Sequence, residues 1–190
     1  MVQIVCILVF LICLTIAVPN VAKHITPVQY RWILWSVFCL YIIGQLYCTT
    51  FSRVFGSGVT VELRPFMSIV RLFNEPIEGG GKVVGLFAWF MNGAAPIVGL
   101  ILNILLYYPL GYLLPILFPK FKPKHVISIG CLCSIATEAT QYLLKMGWCE
   151  TDDVIHNTLG TAIGVWVWLW QSKRLNVLRR AATEDVGQII

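Results

Sequence analysis

A glutamate in the middle of an apolar stretch is the first residue of this sequence that could do chemistry. Residues 134–164 read SIATEATQYLLKMGWCETDDVIHNTLGTAIG. Ser134, Glu138 and Gln141 are spaced i, i+4, i+7, so a helix carries all three on one face. Asp153, Asn157, Gly160 and Gly164 follow the same rhythm after a short acidic loop. A charge beside hydrocarbon is expensive, and such residues face a bundle interior or a water-filled cavity. Two polar faces joined by a short loop will face each other, and the expectation is a polar cleft opening at that loop. In it Glu138 is the candidate general acid/base and Asp153 its catalytic partner. Gln141 and Asn157 would orient a substrate, with Ser134 beside them. The other use for the same residues is a structural clamp that fixes helix packing.

Asp152 and Asp153 are adjacent acids, and such a pair suits a hard cation, Ca²⁺ or Mg²⁺. Aspartate is also a preferred helix N-cap, which accounts for one of them. No other cofactor is expected. His156 has no second histidine nearby to complete a ligand set, and Ser134 has none at helical spacing to activate it. Arg64 and Arg71 are the cations that could reach Glu138 or the aspartate pair. Arg64 would bind a phosphate or carboxylate of the substrate. Asn103 and Tyr107 share a face of an earlier apolar segment, where Asn103 either bonds a neighbouring helix or lines the cleft. Trp148, at the rim, is an interfacial anchor or a contact for an acyl chain, sugar or peptide.

These side chains need elements to hold them. Of 190 residues, 58% are hydrophobic and 12% charged, whereas soluble domains carry about 25% charged residues. The apolar residues fall in blocks. The fold class is therefore all-α, a polytopic membrane helix bundle forming a single integral membrane domain over residues 1–190. A span needs about 20 residues, so about five transmembrane helices are expected. They are Val2–Val18 ending before Pro19, Trp32–Cys48, Pro96–Leu114 with a kink at Pro109, Val126–Leu144 and Val154–Trp170. Val2–Val18 lacks a basic start and an A-x-A-like cleavage site, which favours a span over a signal peptide. Pro65–Phe73 carries Phe66, Ile69, Val70 and Phe73 at helical spacing, and Pro65 suits a first turn. A short interfacial helix is expected there. Val83–Met91 reads as a short or re-entrant segment, and the tail after Trp170 as a short surface helix. The seven cysteines are packing residues, with Cys149 the accessible one.

The net charge is +5. The basic residues cluster beside apolar segments, so they set orientation, and no nucleic-acid partner is expected. Loops 19–31 and 119–125 and the C-terminal tail are basic, while loop 145–153 is acidic. With five spans the basic elements share one side. The positive-inside rule makes that side cytoplasmic, and loops 49–83 and 145–153 face outward.

Four boxes in order carry a resemblance. Leu63-Arg64-Pro65-Phe66 resembles an xPF box, and residues 103–111 (NILLYYPLG) resemble N-x3-F/Y-x-P-L-G. Ser134, Glu138 and Gln141 resemble S-x3-E-x2-Q, and residues 152–160 (DDVIHNTLG) resemble D-D-x3-N-x2-G. Together they resemble the VanZ-like membrane protein family over residues 60–170. The resemblance implies a bacterial plasma-membrane protein associated with resistance to the glycopeptide teicoplanin. The family usually has an arginine between the Glu/Gln helix and the acidic box. Here that stretch is Lys145-Met146-Gly147-Trp148-Cys149, and lysine does not reproduce arginine's planar fork.

The function expected first is a binding or resistance protein whose outward cleft engages membrane lipid, a lipid-linked envelope precursor or a lipoglycopeptide. The second is a membrane-embedded enzyme acting on a lipid or lipid-linked envelope substrate through Glu138 and Asp153. The third is a structural accessory subunit. The sequence has no internal repeat of the kind usual in secondary transporters.

Overall fold

Lipid offers the backbone no partners, so apolar runs become helices that satisfy their own N–H and C=O groups. The computed structural model describes residues 2–67, 69–70 and 95–187. Its described elements are α1 (Val2–Val21), α2 (Pro27–Leu46), β1 (Gly58–Glu62), α3 (Ala95–Leu117), α4 (Pro123–Leu143), β2 (Met146–Glu150) and α5 (Thr151–Gly187). A π-helical turn, Tyr47–Phe51, prolongs α2. Among the described residues three segments are long and apolar enough to cross a membrane: Pro27–Phe51, Ile97–Leu117 and Pro123–Leu143. Val83–Met91, Arg71 and Phe73 lie outside the described residues.

The helix ends follow from local chemistry. Thr26 caps α2 in a capping box: its hydroxyl accepts the Gln29 N–H at 3.3 Å, and Gln29 Oε1 accepts the Thr26 N–H at 3.1 Å. Pro27 occupies the first turn, where its missing N–H costs nothing. The helix therefore starts five residues before Trp32, the expected beginning of this span. Helix α1 passes through Pro19 to Val21 rather than stopping before it. A proline in the last turn forfeits one hydrogen bond without breaking the rest. Helix α3 likewise continues through Pro109 and Pro115. Helix α5 runs unbroken to Gly187, one 37-residue helix in place of a span and a separate surface helix.

The structure is mostly helical, as expected, and two short strands add to the helices. Val59-Thr60-Val61 is β-branched throughout, which suits an extended backbone. It pairs in parallel with Met146–Glu150, Gly58 opposite Met146 and Glu62 opposite Glu150. The chain reaches this register by leaving α4 through Lys145 (φ 52°) and Gly147 (φ 95°). After β1, Phe66 is left-handed (φ 64°) and the described residues that follow it are helical, with Val70 N–H on the Phe66 carbonyl at 3.0 Å. The helical backbone thus begins after Phe66 rather than at Pro65, and the remainder of the expected Pro65–Phe73 helix lies outside the described residues. Phe66, Ile69 and Val70 are all exposed.

Glycines let α3 and α5 touch backbone to backbone. A Cβ on Gly160 would sit 2.1 Å from the Ile104 carbonyl oxygen, and one on Gly164 2.2 Å from that of Tyr108. From the other side, Gly111 fits against the Thr161 carbonyl. Small residues at i and i+4 are the usual means of such approach in membranes. Around this pair, Leu14 and Val18 of α1 and Leu34 of α2 pack on Tyr112, Leu113 and Leu117 of α3. Trp35 of α2 meets Phe118, just past α3, ring edge to face at 5.5 Å. That contact sets the basic turns 22–26 and 118–122 at one end of the bundle. At the opposite end the π turn, the strand pair and the first turn of α5 meet, with Gly56 N–H on the Leu144 carbonyl at 3.2 Å.

Candidate functional site

The inner face of α4 carries Ser134, Glu138 and Gln141, and all three are buried. Each is met by a different element. Ser134 Oγ accepts from Asn157 Nδ2 of α5 at 2.8 Å. Gln141 Nε2 donates to the Thr49 carbonyl at 2.9 Å. That carbonyl lies in the π turn at the end of α2, where helix carbonyls lose their regular partners. Glu138 Oε2 accepts the Glu150 backbone N–H at 2.9 Å, and the Cys149 thiol lies beside the same side chain. Glu138 is 6% exposed, so it does not stand alone against lipid. Two amide oxygens in this layer, Gln141 Oε1 and Asn157 Oδ1, are buried with no partner among the described residues.

The first turn of α5 holds the two aspartates, where carboxylates favour the helix N-terminus. They turn to different donors. Asp152, 2% exposed, accepts the backbone N–H of Phe66. Asp153 Oδ1 accepts from Asn103 Nδ2 of α3 at 2.6 Å. Burial, reinforced by the Glu150 carboxylate, pushes the Asp153 pKa up to about 6, against the pull of Arg53 and the Asn103 amide. Burial and the neighbouring Glu138 also raise the Cys149 thiol. Cys149 is half-buried, not freely accessible as its loop position suggested. Among the described residues no group of three or more His, Cys, Asp and Glu side chains is arranged to hold a metal ion.

Arg64 is turned away from this layer. Its guanidinium grips Glu62 through two bonds, Nε–Oε1 at 2.9 Å and Nη2–Oε2 at 2.8 Å, and its side chain is 73% exposed. The cation that does act on Glu138 and Asp153 is Arg53, which lies just beyond the π turn. Its Nη1 contacts the Met146 carbonyl at 3.4 Å, inside the stretch where the resemblance expects an arginine. Lys145 contributes its backbone there, accepting from Ser57 Oγ at 3.4 Å. Sequence reasoning passed over Arg53 because it follows a span without belonging to any box. It also gave no role to Gln45 of α2 and Thr49 of the π turn, which are buried four residues apart. Tyr107, fully buried, joins Thr137 through its hydroxyl at 3.3 Å and lies within reach of Gln45 and Ser134. Asn103 and Tyr107 therefore line the same polar layer from α3. Trp148, on β2, is 52% exposed at its rim.

With that geometry in place, a family model described as VanZ/LLP1 matches residues 32–172. The matched segment includes α2 to the middle of α5 and every residue of the polar layer. No curated protein and no solved structure matches the chain.

Proposed function

The chain belongs to the VanZ/LLP1 family, and from that premise we propose that it works in a bacterial plasma membrane as a receptor-like resistance protein. Its polar layer opens toward the outer surface, engages an amphiphilic envelope ligand, and reduces the action of glycopeptide and lipoglycopeptide antibiotics such as teicoplanin. The observation that carries this reading is Glu138. It is an acid on the buried face of a membrane-length helix, bonded to the backbone of the loop at the bundle's end. Packing alone is served as well by an uncharged residue, because charge in a span is costly. Here Arg53, Asn103, Asp153 and Asn157 surround the layer from three other segments.

The proposed topology has five spans, adding α1 and residues 154–170 to the three membrane-length segments. Support comes from the side-by-side course of α3 and α5, from Asn103 on Asp153 to Tyr112 on Gln171 at 2.7 Å. The end carrying Lys23, Lys120, Lys122 and Lys124 is then cytoplasmic.

A second reading is a membrane-embedded enzyme on a lipid-linked substrate, with Glu138 and Asp153 as an acid/base pair. It is favoured by the placement of both carboxylates beside the same guanidinium, that of Arg53. General acid–base catalysis contributes about 10²–10⁴-fold, so Glu138→Gln would remove nearly all turnover.

The test is survival under a panel of glycopeptide and lipopeptide antibiotics. Cells express wild type, Glu138→Gln or Asp153→Asn at matched membrane levels. Protection by wild type that both variants lose is the expected result. Full protection from both variants would reduce the layer to packing. Lipid analysis of the same cells separates a binder from an enzyme.

A further inference from the structure

Arg53 is a cation that the fold delivers to the site from outside every sequence box. It stands two residues past the membrane-length segment Pro27–Phe51, the depth at which lipid phosphates lie. The π turn fixes its approach: Ser52 N–H bonds the Tyr47 carbonyl at 2.9 Å, and Arg53 N–H the Thr50 carbonyl at 3.2 Å. Such turns are common at functional positions. Among the described residues its guanidinium makes a single hydrogen bond, the 3.4 Å contact to Met146. A guanidinium has five N–H donors in a planar fork. Among the described residues no carboxylate is hydrogen-bonded to that fork. Glu138 is held by Glu150 N–H, Asp153 by Asn103 and Asp152 by Phe66 N–H. The ion pair recorded among the described residues is Arg64–Glu62.

On its inner side Arg53 faces Glu138 and Asp153, and its chain neighbours are apolar. Phe51, Val54 and Phe55 flank it in the chain and are 67%, 72% and 58% exposed. Gly147, where a Cβ would lie 4.0 Å from Arg53 Nη1, precedes the exposed Trp148. A half-buried cation with an unfilled planar fork, flanked in the chain by exposed aromatic and aliphatic residues just past a membrane-length segment, matches one chemistry. That chemistry is a phosphate monoester or diester carrying acyl chains. We propose that Arg53 binds the phosphate of an outer-leaflet phospholipid, whose acyl chains lie against Phe51, Val54, Phe55 and Trp148. The proposal rests on the ligand-binding reading above and names the chemical class of its ligand. Phosphate and guanidinium pair in a fork-to-fork geometry that lysine cannot copy.

The test uses the purified full chain in an uncharged detergent, titrated with dioctanoyl phosphatidic acid. Dioctanoylglycerol lacks the phosphate and inorganic phosphate lacks the tails. Binding is read from the thermal unfolding midpoint and from tryptophan emission. Phosphatidic acid should give saturable binding, and the other two should not. Arg53→Ala should raise its Kd about tenfold or more, the usual worth of a charged hydrogen bond. Arg53→Gln, which keeps a polar side chain of intermediate length, should do the same and guards against a loss of folding in the alanine variant. Arg64→Ala should leave Kd within a factor of about two, since its head is solvated. Equal binding by Arg53→Gln and wild type overturns the assignment, as does equal binding of dioctanoylglycerol and phosphatidic acid. Either result leaves the survival assay free to uphold the broader reading. Loss of protection there with no phosphatidic acid binding here would sink the phosphate assignment alone.

Discussion

At the scale of the residue, Asp153 gives the clearest expectation. It faces Glu150 and Asp152, which disfavour its charge, and Arg53 and Asn103, which favour it. The balance lies with burial, and its pKa rises from 3.8 to about 6. A carboxyl raised on folding binds more protons in the native state than in the unfolded one. Its contribution is therefore fully present below about pH 4 and is lost as pH climbs through about 6. Asp153→Asn keeps an oxygen for Asn103 and removes the charge. The unfolding midpoint of this variant minus that of wild type should be near zero at pH 4 and increasingly positive toward pH 7. A difference that shrinks with pH would mean that Arg53 outweighs burial. The Ser134–Asn157 bond is a second measurable unit. Hydrogen bonds between membrane helices average about 0.6 kcal/mol in double-mutant cycles. A cycle of Ser134→Ala and Asn157→Ala should return a coupling of that order. No coupling would mean that the two side chains do not meet in the membrane.

At the scale of the element, the α3–α5 contact is what holds Asn103 against Asp153. Gly160→Leu drives carbon into the Ile104 backbone, which has nowhere to go. Overpacking typically costs 1–3 kcal/mol, and with backbone on the far side about 3 kcal/mol is expected. A substituent on Gly99 of α3 meets no atom within 4 Å, so Gly99→Ala should be neutral or stabilise by about 0.5–1 kcal/mol through helix propensity. Comparing the two unfolding midpoints checks this, and equal effects would remove the close-approach account. These glycines were legible in the sequence because i, i+4 spacing fixes a face whatever lies opposite. The Ser134, Glu138, Gln141 face was legible for the same reason. Other features were not. The Thr26 box announces a helix start at Pro27, but the apolar pattern pulls attention forward to Trp32. Strand β2 contains Gly147 and no β-branched residue, so only its partner β1 makes it a strand. Arg53 reaches Met146 across 93 positions of chain, and no local propensity encodes the π turn that aims it.

At the scale of the whole molecule, the charges sort with the geometry. Lys23 and Lys120, Lys122 and Lys124 leave the bundle at the end marked by Trp35 and Phe118. Glu150, Asp152 and Asp153 gather at the other, where β1 and β2 close over the polar layer. Lysine and arginine counts near span ends decide orientation, and acidic residues contribute little. The basic end is thus the informative one. Placing it in the cytoplasm puts Arg53, Trp148 and the strand pair outside. A span count of five makes this consistent for every loop, because each helix then reverses the side. A count lacking α1 preserves it, but a count lacking residues 154–170 carries Lys173 to the outer side along with the acidic loop. Single cysteines in a cysteine-free background distinguish these arrangements. Ser57→Cys, beside β1, should react with a membrane-impermeant maleimide in intact cells. Lys122→Cys and Lys173→Cys should react only after permeabilisation. Labelling of Lys173→Cys in intact cells would exclude residues 154–170 as a span. It would also leave Glu138 facing a hairpin that never crosses, and the polar layer would lose its outward role.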